Sequence, residues 1–223
     1  MESTDPAAGG ATSSATGAAA PAGRTRARVV LLGTSLTAGL GLDPAQAYPT
    51  LLQRMADSAG FRVDIVNAGL SGETSAGALR RAGWVLDQPA AAIVLEVGAN
   101  DGLRGVDPDS THANIVALVG QIRQSQPAAK VLLVQMEAPT NLGRDYTTKF
   151  HDAYLRAARD AGVPLLPFLL DGVAGNASLN QSDGIHPNSR GSRIVANTMW
   201  AALRDTFAEL DAALTPSATP PSP

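Results

Sequence analysis

Three residues of this sequence have the types and surroundings that nucleophilic acyl transfer requires. Ser35 follows an apolar run within residues 33–39 (GTSLTAG), while Asp183 and His186 share the short segment DGIHP. A serine hydroxyl becomes an effective nucleophile when an imidazole takes its proton. A carboxylate on the other ring nitrogen holds that imidazole in the required tautomer and orientation. We therefore predict Ser35 as the nucleophile, His186 as its base and Asp183 as the residue that orients the base.

A tetrahedral intermediate also needs hydrogen-bond donors for its oxyanion. The backbone N–H groups of Ser35 and Gly72 and the side-chain amide of Asn100 could supply three. Gly72 has no Cβ, which lets a substrate oxygen approach the backbone closely. Each residue also has an ordinary interpretation, because Gly69 and Gly72 could form a tight turn and Asn100 could belong to an Asx turn. The prediction therefore depends on where these residues lie in the fold.

Alternating strand and helix patterns predict that position. Short, mostly apolar runs typical of buried parallel strands occupy residues 28–33, 62–67, 91–98, 130–136 and 163–168. Helical apolar spacing lies between or after them, at residues 48–55, 79–86, 115–122, 150–161 and 196–210. This alternation predicts an open parallel sheet with helices on both faces. The candidate site residues follow strands, so we expect them to meet at the carboxyl edge of the sheet, where such folds bind ligands.

Four segments, taken together and in order, resemble a known family. GTSL with TAG, NAGLSGETS, GANDGLRG and DGIHPN look like the four sequence blocks of the SGNH hydrolases, the GDSL esterase/lipase family. The chain most resembles the branch that contains bacterial arylesterases and periplasmic thioesterase/lysophospholipase enzymes, roughly over residues 28–210. The resemblance implies an α/β fold of the flavodoxin-like, three-layer α/β/α type. Its five-stranded parallel sheet would have the order 2-1-3-4-5.

The same resemblance implies a role for each candidate residue. The family usually has an aspartate before the nucleophile, whereas this chain has Thr34. The aspartate is not one of the family's reacting groups, so Thr34 affects the expected geometry of the turn and not the assignment. The implied catalytic residues are Ser35, Asp183 and His186, and the implied oxyanion hole consists of Ser35, Gly72 and Asn100.

The substrate is less well specified than the reaction. We expect a small-molecule ester with a short-to-medium acyl group, cleaved through an acyl-enzyme on Ser35, with aryl esters preferred over long-chain triglycerides. The predicted loop over residues 101–106, with glycine hinges, and the segment after the fourth strand could contact the acyl chain. Their candidate residues are Leu103, Leu142 and Tyr146, although these could instead only cover the edge of the core.

Other functions remain open from the residues alone. Acyl thioesters, lysophospholipids and acetylated sugars are hydrolysed in the same family, with the same site. A nucleotide- or flavin-binding module is an alternative of a different class, but the segment after the first strand contains no phosphate-binding glycine motif and no lysine. A binding protein that has lost catalysis is a third possibility.

Composition limits the domain organisation and the partners. The 223 residues suit one domain, predicted over residues 26–212, with an Ala-, Gly-, Ser- and Thr-rich flexible tether at 1–25 and a Pro-rich disordered tail at 213–223. A net charge of −3 without a basic block argues against nucleic acid. No apolar run is long enough for an integral membrane segment. Periplasmic or secreted location is suspected from the tether and the resemblance, although the chain carries no signal peptide.

Neither a metal nor a cofactor is expected. The chain has no cysteine and only three histidines, without an H-x-x-x-H spacing. His112 and His151 lie in helical patterns and are interpreted as surface or half-buried residues. The oligomeric state is left open by the sequence.

Overall fold

The computed structural model describes residues 25–215 of the chain. The predicted tether over residues 1–25 and tail over residues 213–223 lie almost entirely outside this range, so these boundaries stay predictions. Within residues 25–215, no helix is both long enough and apolar enough to cross a membrane.

One parallel sheet forms the centre of the molecule, with the strand order β2-β1-β3-β4-β5. Its strands are β1 (Ala27–Gly33), β2 (Val63–Gly69), β3 (Ala92–Glu96), β4 (Lys130–Val134) and β5 (Leu165–Leu166). The predicted fold class and strand order are therefore confirmed. β1 and β3 are central, and the side chains of Val29–Leu32 and of Ala92–Leu95 are almost completely buried because helices cover both faces.

The last strand is much shorter than the predicted residues 163–168. Pro164 and Pro167 flank Leu165 and Leu166, and a proline has no N–H to donate to a sheet ladder. The pairing with β4 is therefore limited to the two leucines. The carbonyl of Pro164 still accepts the Leu133 N–H at 3.0 Å.

Helices form a layer on each face of the sheet. One layer contains α2 and α7, which pack against each other, and the other contains α3, α5 and α6. Two short helices, α1 and α4, follow β1 and β3 directly. The helices are α1 (Ser35–Ala38), α2 (Tyr48–Ser58), α3 (Ser75–Val85), α4 (Ala99–Arg104), α5 (Pro108–Ser125), α6 (Arg144–Ala161) and α7 (Ser189–Ala213).

The predicted loop over residues 101–106 is wrong, because α4 continues through Arg104. Gly98 has a φ of 89° and turns the chain out of β3, and its carbonyl accepts the N–H groups of Asp101 and Gly102 at 3.0 and 3.1 Å. Gly102 is no hinge: a Cβ there would lie 3.0 Å from the Phe150 ring. The glycine therefore allows α4 to pack closely against α6.

Candidate active site

Ser35, His186 and Asp183 form a continuous hydrogen-bonded relay. Ser35 Oγ lies 2.8 Å from His186 Nε2, and His186 Nδ1 lies 2.6 Å from Asp183 Oδ2. Ser35 and His186 are separated by 151 positions in the sequence and meet because both follow carboxyl ends of strands. The structure thus brings together all three residues predicted as nucleophile, base and orienting acid.

The turn after β1 determines the position of the Ser35 hydroxyl. Thr34 is the N-cap residue of α1, and Ser35 is the first residue of that helix. The N–H of Ala38 donates to the Thr34 carbonyl at 2.9 Å, whereas the Ser35 N–H has no acceptor among residues 25–215. Ser35 is only 7% exposed. Its hydroxyl and free N–H are therefore both presented at the edge of the sheet from one short turn.

The segment that carries the acid and the base is held by its own hydrogen bonds. Asp183 Oδ1 accepts the backbone N–H groups of Ile185 at 2.9 Å and of His186 at 3.0 Å. The carbonyl of His186 accepts the Gln181 N–H at 2.7 Å. The hydrogen bonds that Asp183 accepts lower its pKa from 3.8 to about 2, with the backbone N–H of His186 as the largest cause, followed by the His186 ring and the Ile185 N–H. Asp183 is thus a carboxylate near neutral pH.

The predicted oxyanion donors Gly72 and Asn100 lie on the segments that follow β2 and β3, and the third, Ser35, lies on the turn after β1. Asn100 is buried near the start of α4, and its side-chain amide donates to the Glu73 carbonyl at 2.9 Å, which leaves its second N–H available. Gly72 has a φ of 79°, and its N–H has no acceptor within the described range. The Leu70 N–H donates to the Gly33 carbonyl at 2.9 Å, so this turn adjoins the end of β1. The arrangement can offer three N–H donors to a developing negative charge.

Two mainly apolar cavities adjoin Ser35. The base-side cavity also contains His186 and lies against α1, α2 and α7. The Asn100-side cavity lies against α4 and the segments that follow β4 and β5. The base-side cavity is lined by residues that include Leu40, Leu42, Tyr48, Leu169 and Pro187. The Asn100-side cavity is lined by residues that include Leu103, Met136, Glu137, Phe168, Leu170 and Ile185.

Only one of the three predicted acyl-contacting residues lines a cavity beside Ser35. Leu103 faces the Asn100-side cavity, whereas Leu142 and Tyr146 line neither. The Tyr146 hydroxyl instead donates to the Val106 carbonyl at 2.8 Å, which ties α6 to the segment after α4. Leu142 lies in a short 3₁₀ turn and is 37% exposed.

Several cavity residues were not predicted. Met136 and Glu137 lie just beyond the end of β4, Phe168 lies just beyond β5, and Ile185 lies inside the DGIHP segment. The rule that strand ends form the site could have identified the first three. No sequence pattern marks Ile185, since its place in the cavity depends on how the DGIHP segment packs.

The remaining histidines form hydrogen-bond contacts with acidic side chains. His112 Nε2 lies 2.8 Å from Asp160 Oδ2, and His151 Nδ1 lies 2.7 Å from Glu137 Oε1. No group of histidine and acidic side chains in residues 25–215 has an arrangement that could hold a metal ion.

Comparisons with known proteins extend the resemblance. Residues 31–194 match the model of the GDSL-like lipase/acylhydrolase family. The chain is 36% identical over 177 residues to esterase TesA of Pseudomonas aeruginosa, covering 79% of this chain and 87% of that protein. It is also 36% identical to thioesterase 1/protease 1/lysophospholipase L1 of Escherichia coli K12, covering 79% and 83%. It is 35% identical to an arylesterase of Vibrio mimicus, covering 72% and 80%.

A solved structure gives the same relationship in three dimensions. The crystal structure of the psychrotrophic esterase EstA from Pseudoalteromonas sp., inhibited by monoethylphosphonate, superposes with a TM-score of 0.76 and 31% identity. The match covers 81% of this chain and 98% of EstA. Similarity therefore extends over nearly the whole of that esterase.

Proposed function

Since this chain belongs to the GDSL-like lipase/acylhydrolase family and is a carboxylic ester hydrolase, we propose that it cleaves short-to-medium acyl esters through an acyl-enzyme on Ser35. Aryl esters are among the proposed substrates. The observation that carries the proposal is the relay from Ser35 Oγ through His186 to Asp183. Both distances are in the range of hydrogen bonds, so a proton can move from the hydroxyl to the ring.

Acylation begins at the Ser35 hydroxyl. His186 Nε2 takes the proton while Oγ bonds to the carbonyl carbon, and the carbonyl oxygen becomes an oxyanion. The ionised Asp183 stabilises the imidazolium that forms. The N–H groups of Ser35 and Gly72 and the Asn100 amide are the donors proposed for the oxyanion.

Departure of the alcohol completes the first half of the reaction. His186 returns its proton to the leaving oxygen as the C–O bond breaks, and the acyl group stays on Ser35. A water molecule then loses its proton to His186 and attacks the acyl-enzyme. Collapse of the second intermediate releases the carboxylic acid and restores the Ser35 hydroxyl.

The apolar cavities support acyl esters as the substrate class. Burial of each methylene in such a cavity contributes about 0.8 kcal/mol. The Asn100-side cavity adjoins both the nucleophile and an oxyanion donor, so we assign the acyl chain to it. Acetylated sugars are a weaker candidate, because sugar hydroxyls need polar partners and the walls here are mainly aliphatic and aromatic.

Acyl thioesters and lysophospholipids are a second candidate class. The relative from Escherichia coli is named as a thioesterase and a lysophospholipase. A thioester carbonyl would be attacked by the same serine, and its oxyanion would accept hydrogen bonds from the same donors. Parallel assays of matched oxygen esters and thioesters, with equal acyl groups, distinguish the two classes.

Ser35→Ala tests the proposed nucleophile. We expect wild type to react with a fluorophosphonate probe and to hydrolyse nitrophenyl esters of short and medium chain length, with activity retained in EDTA. Ser35→Ala should lose both reactions because it lacks the attacking hydroxyl, and it should keep the wild-type melting temperature. The control is Ser125→Ala, at the far end of α5, which should keep both reactions. Full labelling of Ser35→Ala would place the nucleophile elsewhere.

A further inference from the structure

A buried carboxyl adjoins the turn that carries Ser35, and the mechanism above gives it no role. Glu96 is the last residue of β3, lies opposite Gly33 of β1 in the sheet register, and is 1% exposed. Its carboxylate accepts the Thr34 N–H at 2.8 Å and the Thr37 hydroxyl at 2.8 Å. The Thr34 hydroxyl lies within 2.9 and 3.0 Å of its two oxygens.

The environment of Glu96 is costly for a carboxylate. Within residues 25–215 it forms no ion pair with lysine or arginine, and its hydrogen-bond partners, Thr34 and Thr37, are neutral. Burial raises the pKa of Glu96 from 4.5 to about 7, although the bonds from Thr34 and Thr37 oppose the rise. Buried carboxyls with strongly shifted pKa values are concentrated at functional sites, and this one lies beside the Ser35 turn.

The contacts of Glu96 bracket the nucleophile. Thr34 precedes Ser35 and Thr37 follows it by two positions, and both bind the same carboxylate. A Cβ on Gly33 would lie 2.7 Å from Glu96 Oε2, so the glycine makes the space that this carboxylate occupies. The Thr37 hydroxyl also lies 2.7 Å from the Tyr48 hydroxyl, which links the turn to α2.

We propose that Glu96 is a positioning residue of the reaction, which holds the turn so that Ser35 Oγ faces His186 and the Ser35 N–H stays free for the oxyanion. The inference rests on the proposed function. Glu96 acts through Thr34 and Thr37 and does not touch the reacting atoms. Thr34 is the residue immediately before the nucleophile, and it contacts Glu96 through both its hydroxyl and its backbone N–H.

The test compares an apolar and an amide replacement. Glu96→Leu removes every acceptor while keeping much of the volume, and we expect kcat to fall about 10²-fold with KM unchanged, since small displacements of reacting groups have costs of this size. The rate of fluorophosphonate labelling should fall by a similar factor. Glu96→Gln should recover most of both rates, because its oxygen can accept the Thr34 N–H and its amide can donate to the Thr34 hydroxyl.

A stability control separates positioning from folding. Ile122→Ala creates a cavity in α5, far from the turn, and should lower the melting temperature without changing kcat. Wild-type kcat in folded Glu96→Leu would overturn the proposal, as would an amide variant as slow as the leucine variant. If Glu96→Leu does not fold, kcat is measured in Thr34→Val and Thr37→Val, which each remove a hydroxyl that contacts Glu96. Unchanged kcat in both variants would again overturn the proposal. Failure of the proposed function would appear differently, as absence of labelling in wild type.

Discussion

Asp183 has two tasks, and each of its carboxylate oxygens performs one. Oδ1 accepts the N–H groups of Ile185 and His186, while Oδ2 faces the His186 ring. In Asp183→Asn the amide oxygen can keep the backbone bonds, but the amide NH₂ then faces Nδ1 and favours the wrong tautomer. We expect kcat to fall about 10⁴-fold, because His186 is then held in a tautomer that cannot accept the Ser35 proton, with the melting temperature little changed. Unchanged kcat would mean that another carboxylate orients His186.

The depressed pKa of Asp183 also predicts the shape of the pH profile. Because the folded-state pKa is about 2 and the ordinary value is 3.8, the carboxylate is fully charged above the ordinary value. Its contribution to stability is therefore present above pH 3.8 and is lost only as the pH falls through about 2. Between pH 3.8 and neutral pH, titration of Asp183 should therefore add no step to the pH profile of kcat/KM. A step that disappears in Asp183→Asn would contradict this assignment.

Leu103 and Leu142 are a matched pair for testing the acyl site. Both are leucines of similar exposure at the same edge of the sheet, 39% and 37%, but only Leu103 lines the Asn100-side cavity. Leu103→Ala should reduce the preference for longer acyl groups while acetate esters are nearly unaffected, by about 0.8 kcal/mol for each methylene that loses its contact. Leu142→Ala should keep the wild-type profile of kcat/KM against chain length. The reverse result would favour the segment after β4 as the acyl site.

At the scale of elements, two glycines have equal room for a side chain but different backbone conformations. Gly120 lies inside α5 and Gly105 ends α4 with a φ of 64°, and a Cβ at either position would meet nothing within 4 Å. Gly120→Ala should raise the free energy of unfolding by about 0.5–1 kcal/mol, because alanine favours a helix interior. Gly105→Ala should lower it by about 1 kcal/mol, because a side chain is strained at positive φ. Urea unfolding of both variants measures the difference, and equal effects would contradict it.

The elements also show which structural features a sequence pattern can predict. β1, β3 and β4 were located correctly because their residues are apolar on both faces, and the helices between them have regular apolar spacing. β5 is shorter than the predicted strand because an apolar pattern does not take into account that Pro164 and Pro167 have no N–H to donate. The sequence predicts a loop where α4 lies, because glycine favours hinges and the packing of Gly102 against Phe150 is a tertiary contact.

The candidate site was predictable to a similar extent. The residues of the relay could be identified because each follows a strand and belongs to a short segment of recognisable chemistry. Phe168 and Ile185 reach the same cavity from different segments, and that proximity depends on packing that one segment does not encode. Glu96 was overlooked because a single acidic residue at the end of an apolar strand has no partner nearby in sequence. Its partners belong to the turn after β1.

At the scale of the molecule, the family and the enzyme class predicted from the sequence are confirmed by the family match and the named relatives. The domain limits stay a prediction that truncation can test. Removal of residues 1–24 should change neither the melting temperature nor kcat, because this segment contains too little apolar bulk to bury. Removal of residues 1–27 is the contrasting control, since Arg26 donates to the Val63 carbonyl at 3.0 Å and Ala27 begins β1. A loss of stability in the shorter truncation would show that residues 1–24 contribute to the fold.

The hydrogen bonds within the Asp183–His186 segment have a consequence for how the enzyme can be altered. Because acid and base are bonded to each other and to one stretch of backbone, they behave as a preassembled unit, and the Ser35 turn behaves as a second one. The catalytic geometry then depends mainly on how these two hydrogen-bonded parts are placed relative to each other. Changes in loop length before residue 180 can shift the whole dyad without distorting it, whereas a substitution inside either part changes its internal geometry. Redesign for new substrates is therefore best directed at cavity-wall residues outside both parts, such as Leu103 and Met136.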